Sequence, residues 1–399
     1  MSRAIISINS GSSSIKFGLY TLEESGPRHA AGGKLEGIGS DPRLTIENDA
    51  GATLLQRHWE QGASLTHEQL LREILAWADS HLETYEIVAA GHRVVHGGRE
   101  FWKPVPIDGG LLAELDSFCS LAPLHQPHNL AAIREIARHS PDLLQVACFD
   151  TAFHHAMPDV AAAMALPRRL TERGFRRYGF HGLSYEYIAR QLRALDPELA
   201  GGRVIAAHLG NGASMCAMRD GQSVDTTMGF TALDGLMMGT RTGSLDPGVV
   251  VHLQLQEGMS ASEVETLLYK QSGLLGVSGI SNDMRTLHES KDPRADEAIA
   301  LFVWRAARHA GALIAALQGL DGMVFTAGIG ENDPLIRAAI CARLGWAGVM
   351  LDEEANQANA PVISAPESRI KVRVIATDEE RMIALHTHAI YQSQQGAEP

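Results

Sequence analysis

The sequence predicts an α/β fold with two domains related by duplication, and three observations support this prediction. The chain has 399 residues, which is more than one hydrophobic core usually holds. Strand-like and helix-like segments alternate along its length, as they do in α/β proteins. A strand, a turn of small residues and a second strand occur at 4–20 and recur in the second half, at 204–218. We therefore expect one architecture to occur twice.

Each of these hairpins is predicted from two apolar segments and the residues between them. The first joins 4–8 to 15–20 through Asn, Gly and Ser. The second joins 204–209 to 214–218 through Gly-Asn-Gly-Ala, in which Asn-Gly is the strongest short hairpin signal. Between the hairpins, 66–85 has apolar residues at helical spacing and opens with Thr66 and Gln69, a capping box. The segments 87–95 and 143–149 are apolar runs of strand length.

The second half predicts further alternation. We expect a long alanine-rich helix over 296–317, a buried strand over 323–327 and a glycine-rich turn over 328–332. A helix over 334–344, a strand over 370–376 and a helix from 379 to about 391 follow, and the tail from Ser393 is expected to fray. The duplication places the domain boundary after the strand at 143–149. The N-terminal domain is then 1–150, joined by the C-terminal helix 380–399, and the C-terminal domain is 151–379.

Composition excludes several classes of protein. The chain is 45% hydrophobic and 20% charged, which excludes a disordered protein or a disulfide framework. Its net charge is −13 and no run of Lys and Arg forms a patch, so we expect no nucleic-acid partner. Four dispersed cysteines fit a reducing compartment. The apolar stretch at 4–8 is too short for a signal peptide and no segment has the ~20 apolar residues of a membrane span, so we expect a cytoplasmic protein.

Three turns of small residues are candidates for binding phosphate, because backbone N–H groups can approach an anion closely there. They are 9–16 (NSGSSSIK), 210–213 (GNGA) and 328–332 (GIGEN). The first also offers the Asn9 amide and the Lys16 amine, which suit Mg²⁺ and phosphate. Any one of them alone is more simply an ordinary tight turn, but three in one chain favour phosphate. P-loop, dinucleotide-binding, zincin and hydrolase motifs are absent.

A second group of candidates follows or ends predicted strands. Strand alternation places Arg93 and Val95 on one face, which suits a small carboxylate with an alkyl tail. A structural salt bridge is an equal alternative for Arg93. Asp150 follows an apolar strand at once, where α/β active sites lie, although it could equally cap the next segment.

Histidines and arginines in loops form a third group. His181 and Arg241 are flanked by glycine and lie outside periodic segments, although each alone is more simply a solvated loop residue. Four other histidines have a spacing that fits no zinc site, namely His125, His128, His154 and His155. Of these, His125 is a candidate for substrate contact.

The start of the last helix contains two adjacent glutamates. Thr377 and Glu380 have the spacing of a capping box, which predicts a structural role for Glu380. Glu379 is not needed by that cap and could hold a divalent cation, with a carboxylate that only favours the helix dipole as an equal alternative.

The chain resembles the acetate kinases in ten segments that occur in the same order, namely NSGSSSIKF, GHRVVHGG, LAPLHQP, FDTAFH, RYGFHG, HLGNGAS, MGTRTG, GISNDMR, FTAGIGEN and TDEE. The resemblance extends from about residue 4 to about residue 390. It implies two duplicated ribonuclease-H-like domains of the actin-like ATPase type around a nucleotide cleft, as in sugar kinases, actin and Hsp70 chaperones.

The resemblance also implies roles for individual residues. Asn9 and Glu379 would position Mg²⁺, with Mn²⁺ as an alternative, and Ser12, Ser14 and Lys16 would face the phosphates. ATP or ADP would be held by His208, Leu209, Gly210, Asn211, Gly212, Asp283, Met284, Arg285, Gly328, Ile329, Gly330, Glu331 and Asn332. Arg93 would bind acetate, with the methyl pocket formed by Val95, Leu124 and Phe180 beside His125. The catalytic group would be Asp150, His181 and Arg241.

The implied reaction is the reversible transfer of the ATP γ-phosphoryl group to acetate, giving acetyl phosphate and ADP, in a cytoplasmic homodimer. A carboxylate nucleophile is already ionised, so we expect direct in-line transfer aided by His181 and Arg241. Asp150 would then orient Arg241 or a metal-bound water. A phosphorylated Asp or Glu intermediate is the less favoured route. The nearest alternative function is a propionate or broader short-chain acyl kinase, and an actin- or Hsp70-like nucleotide switch is a more distant one.

The chain departs from the family pattern at a few positions. Ala232, in FTALDGL, stands where a pocket proline is usual, which leaves the choice of acyl substrate open. Ser244 stands where aspartate is usual, and Ala-Thr-Asp at 376–378 replaces Pro-Thr-Asn. None of these changes removes an implied catalytic group.

Overall fold

The computed structural model describes residues 1–11, 14–60, 62–80, 85–123 and 125–396. These residues form two compact units. The N-terminal unit comprises Met1–Ala152 and Asp378–Pro399, and the C-terminal unit comprises Phe153–Thr377.

The elements follow in chain order. The strands are β1 (Ser2–Ser10), β2 (Ser14–Glu23), β3 (Gly26–Glu36), β4 (Arg43–Asn48), β5 (Thr53–His58), β6 (Tyr85–Val94), β7 (Val105–Pro106), β8 (Leu144–Phe149), β9 (Arg203–Leu209), β10 (Ala213–Arg219), β11 (Gln222–Thr226), β12 (Gly322–Thr326) and β13 (Lys371–Val374). The helices are α1 (His67–Asp79), α2 (Gly109–Ser117), α3 (Gln126–His139), α4 (Asp159–Ala162), α5 (Arg168–Glu172), α6 (Gly182–Leu195), α7 (Pro197–Ala200), α8 (Pro247–Leu255), α9 (Ala261–Lys270), α10 (Gly273–Ser278), α11 (Met284–Glu289), α12 (Pro293–Leu317), α13 (Ala327–Asn332), α14 (Pro334–Arg343), α15 (Glu353–Gln357) and α16 (Glu379–Gln395).

The N-terminal unit is built on a sheet of eight strands in the order β5-β4-β3-β2-β1-β6-β8-β7. Strand β1 runs antiparallel to β2 and parallel to β6, which in turn runs parallel to β8. One core contains Ile8 and Phe17 of the sheet together with Ile74 of α1 and Ile136 of α3. Helix α16 packs closely on β6, because a Cβ atom on Gly91 would lie 2.1 Å from the Thr387 hydroxyl.

The C-terminal unit repeats this pattern in a sheet of five strands. Its order is β11-β10-β9-β12-β13, with β9 antiparallel to β10 and parallel to β12, and β12 parallel to β13. The strands β3-β2-β1-β6-β8 of the N-terminal unit have the same order and the same directions. The repeated hairpin in the sequence therefore marks a repeated five-strand core, and the predicted α/β class is confirmed.

Several predicted boundaries are wrong. The capping box of Thr66 and Gln69 starts α1 as expected, but the helix ends at Asp79 and Tyr85 already belongs to β6, while 81–84 lie outside the described residues. The expected turn at 328–332 is part of the short helix α13. Helix α16 continues to Gln395 instead of fraying from residue 393.

One helix among the described residues, α12, is long and apolar enough to cross a membrane by length and composition alone. This is weak evidence for a span, because core helices pass the same test. The side chains of Phe302, Ala306, Ala310 and Leu317 are buried inside the C-terminal unit. We therefore regard α12 as a core helix.

Candidate active site

In the N-terminal unit, three polar residues meet where parallel strands end. Asn9 lies at the end of β1, Arg93 at the end of β6, and Asp150 directly after β8. The Arg93 Nε donates to Asp150 Oδ2 at 2.8 Å, its Nη2 contacts the same oxygen, and its Nη1 donates to Asn9 Oδ1 at 3.1 Å. Asp150 is fully buried. The structure thus contains the salt bridge that was one of two interpretations of Arg93.

The first turn of α16 adds two carboxylates to this cluster. The Asn9 Nδ2 donates to Glu379 Oε2 at 3.0 Å and to Glu380 Oε1 at 3.2 Å. One amide therefore bridges both glutamates. Because its oxygen accepts from Arg93, Asn9 is the hub of the cluster.

The predicted capping box of Thr377 and Glu380 is wrong. The helix is capped one residue later, by Asp378, whose side chain accepts from the Arg381 N–H at 2.8 Å. Aspartate is a stronger N-cap than threonine, so the chain enters the helix at Glu379. Glu380 is thereby released from the structural role that the spacing suggested and joins Glu379 at Asn9.

The charges in this cluster influence one another. Burial raises the pKa of Glu380, Lys16 acts in the opposite direction, and the neighbouring Glu379 raises it further. Burial alone would lower the pKa of Arg93, but Asp150 and the two glutamates hold it above its usual value. Two carboxylates crowded together are a site at which a cation would be stabilised.

The cluster fits a hard divalent cation by its donor chemistry, since Mg²⁺ prefers carboxylate and amide oxygens and keeps several waters. Among the described residues, no group of three or more His, Cys, Asp and Glu side chains forms a metal cluster. A cation here would therefore rely on Asn9, Glu379 and Glu380 together with oxygens from water or phosphate.

The other described residues that the sequence predicted for this unit lie around the same edge. Ser14 and Lys16 begin β2, and the buried Val95 donates its N–H to Asn129 Oδ1 at 3.0 Å. His125 is the residue before α3. Ser12 and Leu124 lie outside the described residues.

In the C-terminal unit, the turns predicted to hold nucleotide converge at the equivalent edge. Strands β9 and β12 end side by side, with His208 paired to Thr326. The Asn211 Oδ1 accepts from Asn282 Nδ2 at 3.1 Å, which joins the 210–212 turn to the segment before α11. A Cβ atom on Gly239 would lie 1.9 Å from Asn211 Oδ1, so a larger residue there would displace the Asn211 side chain.

Neighbouring groups hold these turns in place. The carboxylate of Asp283 caps α11 by accepting from the Thr286 N–H at 3.1 Å. Glu331 Oε1 accepts from the Ala327 N–H at 2.7 Å and from the Thr377 N–H at 3.1 Å. Leu209 is the last residue of β9. The predicted residues at this edge that lie in turns or short helices are Gly210, Gly212, Met284, Arg285, Gly328, Ile329, Gly330 and Asn332.

Arg337 is a residue of this edge that the sequence analysis missed. It is fully buried in α14, and its guanidinium donates to Gly330 O at 3.0 Å, to Glu331 O at 2.9 Å and to Asn356 Oδ1 at 2.8 Å. It therefore ties α13 to the segment at 356. The available signal was its place on the apolar stripe of the helix, three residues before Ile340.

His181 begins α6 in a left-handed backbone conformation, with φ 58°. This conformation costs a residue other than glycine roughly 1–2 kcal/mol, and such strain is concentrated at functional sites. The His181 Nδ1 lies 2.8 Å from Ser214 Oγ, and the imidazole stacks on that of His208 with centroids 4.2 Å apart.

Arg241 lies in the loop that also carries Ala232. Its Nη1 donates to the Ala232 carbonyl at 3.1 Å. The Ser244 hydroxyl in the same loop donates to Asp234 Oδ1 at 2.7 Å. Phe180 is buried, and its carbonyl accepts from His154 Nε2 at 2.9 Å.

Comparison with known proteins identifies the molecule to which these two edges belong. The model of the acetokinase family matches residues 4–385. The chain belongs to the acetokinase family. It is therefore an enzyme that transfers a phosphoryl group between ATP and acetate, with ATP and ADP as co-substrates.

Individual relatives agree with this assignment. The chain is 52% identical over 395 residues to the acetate kinase of Rhodopseudomonas palustris strain TIE-1, covering 97% of this chain and 98% of that one. It is similar to the crystal structure of a propionate kinase from Francisella tularensis, with a TM-score of 0.89, 38% identity and coverage of 98% and 100%. It is also similar to the crystal structure of the acetate kinase of Porphyromonas gingivalis, with a TM-score of 0.85 and 36% identity. That match covers 98% of this chain and 100% of the other. The actin-like ATPase fold is confirmed.

Proposed function

We propose that the N-terminal unit of this acetokinase supplies the residues that bind the acetate carboxylate and the metal, and that the C-terminal unit supplies the turns that hold the nucleotide and the groups that act on the transferring phosphoryl. The observation that carries this proposal is the clustering of Asn9, Arg93 and Asp150 where three parallel strands end. Active sites of α/β proteins lie at that edge.

Arg93 is the proposed partner of the acetate carboxylate. Guanidinium groups bind carboxylates through two parallel N–H donors. Asp150 holds the guanidinium by Nε and Nη2 and Asn9 holds it by Nη1, so its orientation is set before substrate arrives. The neighbouring Val95, with Leu124, Phe180 and Ala232, is proposed to surround the acyl tail beside His125.

Asn9, Glu379 and Glu380 are the proposed holders of Mg²⁺ or Mn²⁺. The bound cation would neutralise charge on the phosphate oxygens of the nucleotide. This assignment adds Glu380 to the pair implied by the resemblance. The amine of Lys16 lies close enough to lower the pKa of Glu380, and with Ser12 and Ser14 it is proposed to face the phosphates.

The transfer step is proposed to be direct and in line. Acetate is ionised at neutral pH, so the enzyme needs alignment and neutralisation of charge rather than a strong base. His181 and Arg241 would stabilise charge on the transferring group. Asp150 would serve as an orienting group, first of all for Arg93, rather than as a proton acceptor.

Propionate is proposed as a second acyl substrate beside acetate. Ala232 is smaller than the proline expected at this position, and one methylene in an apolar pocket changes discrimination by only ~1–3 kcal/mol. The similarity to a structure named as a propionate kinase favours testing both.

A hydroxylamine assay tests the function. The enzyme is incubated with ATP and Mg²⁺ and with acetate, propionate or butyrate, and the acyl phosphate is trapped as the hydroxamate. We expect acetyl hydroxamate in the largest amount, propionyl hydroxamate in a measurable amount and little butyryl hydroxamate. ATP turnover without any hydroxamate would contradict the proposal and favour a nucleotide switch.

We also propose a cytoplasmic homodimer whose interface includes α8. That helix carries exposed apolar side chains at Val249, Val251 and Leu255, which are 40%, 52% and 73% exposed. Contiguous exposed apolar residues are typical of protein interfaces. Sedimentation should show a dimer for the wild type and a weaker dimer for Leu255→Glu.

The boundaries at residues 150 and 379 are likewise proposed as domain boundaries, which limited proteolysis can test.

A further inference from the structure

A buried chain of hydroxyl groups leads to His181. The Tyr185 hydroxyl contacts the Ser214 hydroxyl, which lies 2.8 Å from the His181 Nδ1. Tyr185 and Ser214 are both fully buried. Each hydroxyl has one proton to donate, so the direction of this chain can be worked out by counting donors.

The count starts at Tyr185. Burial raises the pKa of its phenol well above 10, so the phenol keeps its proton. Among the described residues, the acceptor within reach of the phenol proton is Ser214 Oγ. Tyr185 therefore donates to Ser214.

The Ser214 oxygen already accepts from Tyr185. Among the described residues, the neighbour to which Ser214 can donate its own proton is therefore the His181 Nδ1. In the reverse arrangement, His181 would donate to Ser214 and Ser214 to Tyr185. The buried phenol proton would then lack its acceptor, an arrangement that native structures avoid because the desolvated donor is left unsatisfied.

We propose that Tyr185 and Ser214 are positioning residues that hold His181 as the neutral tautomer with its proton on Nε2. A neutral imidazole has one donor and one acceptor nitrogen, so an accepting Nδ1 requires a donating Nε2. The inference rests on the proposed role of His181 toward the phosphoryl group, and it specifies which atom performs that role.

The position of the ring supports this assignment. A Cβ atom placed on Gly212 would lie 3.4 Å from the His181 Nε2 and 3.6 Å from Cε1. The donating edge therefore faces the 210–212 turn, which is the turn proposed to hold nucleotide. A fixed N–H directed at the place where negative charge develops needs no reorganisation during the reaction.

A second relay serves the stacked neighbour of His181. The Thr377 hydroxyl donates to Ser184 Oγ at 2.9 Å, and that oxygen lies 2.8 Å from the His208 Nδ1. Thr377 is only half-buried, so water can serve its hydroxyl and this chain does not fix the His208 tautomer. The His208 ring stacks on His181 with centroids 4.2 Å apart and so limits how the His181 ring can turn.

Nitrogen NMR of the intact, ¹⁵N-labelled enzyme tests the tautomer without reference to activity. Long-range ¹H–¹⁵N correlation separates protonated from unprotonated ring nitrogens, and the His181 signals are identified by their loss in His181→Gln. We expect an unprotonated Nδ1 and a protonated Nε2. In Ser214→Ala and in Tyr185→Phe, the signals should move toward a mixture of the two tautomers. A protonated Nδ1 in the wild type, or variants that leave the tautomer unchanged, would overturn the inference.

Steady-state kinetics test its consequence. Tyr185→Phe, which preserves the shape of the buried ring, and Ser214→Ala should each lower kcat by about tenfold, the factor that ~1.4 kcal/mol represents, with the KM for ATP nearly unchanged. In a His181→Ala background, neither substitution should lower kcat further. A further loss of equal size would overturn the inference, because the relay would then act without His181.

A matched control tests whether the loss of any buried Ser–His hydrogen bond has the same effect as the loss of the relay. The Ser223 hydroxyl lies 2.8 Å from the Nδ1 of the buried His154. Ser223→Ala should leave the His181 tautomer and kcat close to wild type. If His181→Ala itself leaves kcat unchanged while the NMR result holds, the proposed role of His181 fails and the tautomer assignment stands. If the NMR result fails, the assignment is wrong whatever the kinetics show.

Discussion

In the N-terminal unit, polar and charged side chains lie where the parallel strands end, whereas small residues and one imidazole, that of His208, lie where the matching strands of the C-terminal unit end. Asn9, Arg93 and Asp150 lie at the first edge with two glutamates. At the second edge, Asn211 lies in a turn of glycines and His208 stacks on His181. The strand order and directions are the same in both cores.

This contrast indicates that the repeated core provides a location and that the residues after each strand decide the chemistry. Ionic side chains suit a metal ion and a small carboxylate, because both carry full charges. Backbone N–H groups in small-residue turns suit a nucleotide, because they approach phosphates closely. Duplication followed by divergence at the strand ends is sufficient to produce two unlike binding edges.

The largest expected effect is on the transfer step and belongs to the C-terminal unit. His181→Ala and Arg241→Ala should each lower kcat by ~10²–10³, because each removes a donor to the transferring group. The KM for ATP should change little. Arg169→Ala, in the short helix α5, is the control and should behave as wild type. A matching loss of ATP binding would make these two residues structural.

The second-largest expected effect is on the Mg²⁺ requirement and arises from the N-terminal unit. Glu379→Gln and Glu380→Gln should each raise the Mg²⁺ concentration required for half-maximal activity, by roughly 10–100-fold, since both carboxylates contact Asn9. Asp378→Ala is the control: it should cost about 0.5–2 kcal/mol of stability through loss of the N-cap, with Mg²⁺ dependence unchanged. Magnesium titrations and thermal melts check both. A Glu380→Gln variant with normal Mg²⁺ dependence would restore its purely structural role.

At acidic pH, we expect the N-terminal unit to lose stability before the C-terminal unit. Burial lowers the pKa of His92, His96 and His154 to about 4, against an ordinary value of 6.5. The unfolded chain binds more protons between these values, so stability is complete above pH 6.5 and falls as the pH drops toward 4. Each histidine contributes up to ~1.4 kcal/mol per pH unit. Two lie in the N-terminal unit, which should lose hydrogen-exchange protection first at pH 5 to 6.

Replacement of one of these histidines provides the check. In urea melts, His154→Gln should reduce the loss of unfolding free energy between pH 6.5 and 5.5 by about 1 kcal/mol. An identical pH dependence in the variant would show that His154 is not held neutral in the folded state.

The smallest effect concerns the acyl substrate. Ala232→Pro should widen the preference for acetate over propionate by a few-fold, mainly through a higher KM for propionate. The described residues include no hydrogen bond from the residue 232 N–H, so proline removes none there, and the carbonyl that accepts from Arg241 is retained. Kinetics with both acids check the ratio. An unchanged ratio in a variant of normal stability would mean that residue 232 does not touch the acyl tail.

Local patterns predicted much of the fold and part of the site. Both hairpins were predictable because small residues between apolar segments have few alternatives. Asn9, Arg93 and Asp150 were identifiable because each ends or follows a strand, which limits where the side chain can lie. Their mutual hydrogen bonds were not readable, since they depend on which strands become neighbours.

Other features required tertiary information. Thr377 and Asp378 are both competent N-caps, but Thr377 donates its N–H to Glu331, 46 residues away, and its hydroxyl to Ser184, 193 residues away. Arg337 lies on the apolar stripe of its helix, which was a signal of burial, but its burial also requires the carbonyl groups of α13 and the Asn356 side chain to satisfy its donors. Which of these groups reach Arg337 depends on how the elements pack, so the local pattern does not reveal them.

The division of roles between the two edges is tested most directly by paired KM measurements on Arg93→Lys and Asn211→Ala. Lysine keeps the charge beside Asp150 but loses the two-pronged geometry, so the KM for acetate should rise by at least tenfold while the KM for ATP stays within about twofold. Asn211→Ala should show the reverse pattern, because it removes the Asn211 Oδ1 contact between two segments proposed to hold nucleotide. If each variant raises both KM values equally, the assignment of acetate to one unit and nucleotide to the other is contradicted.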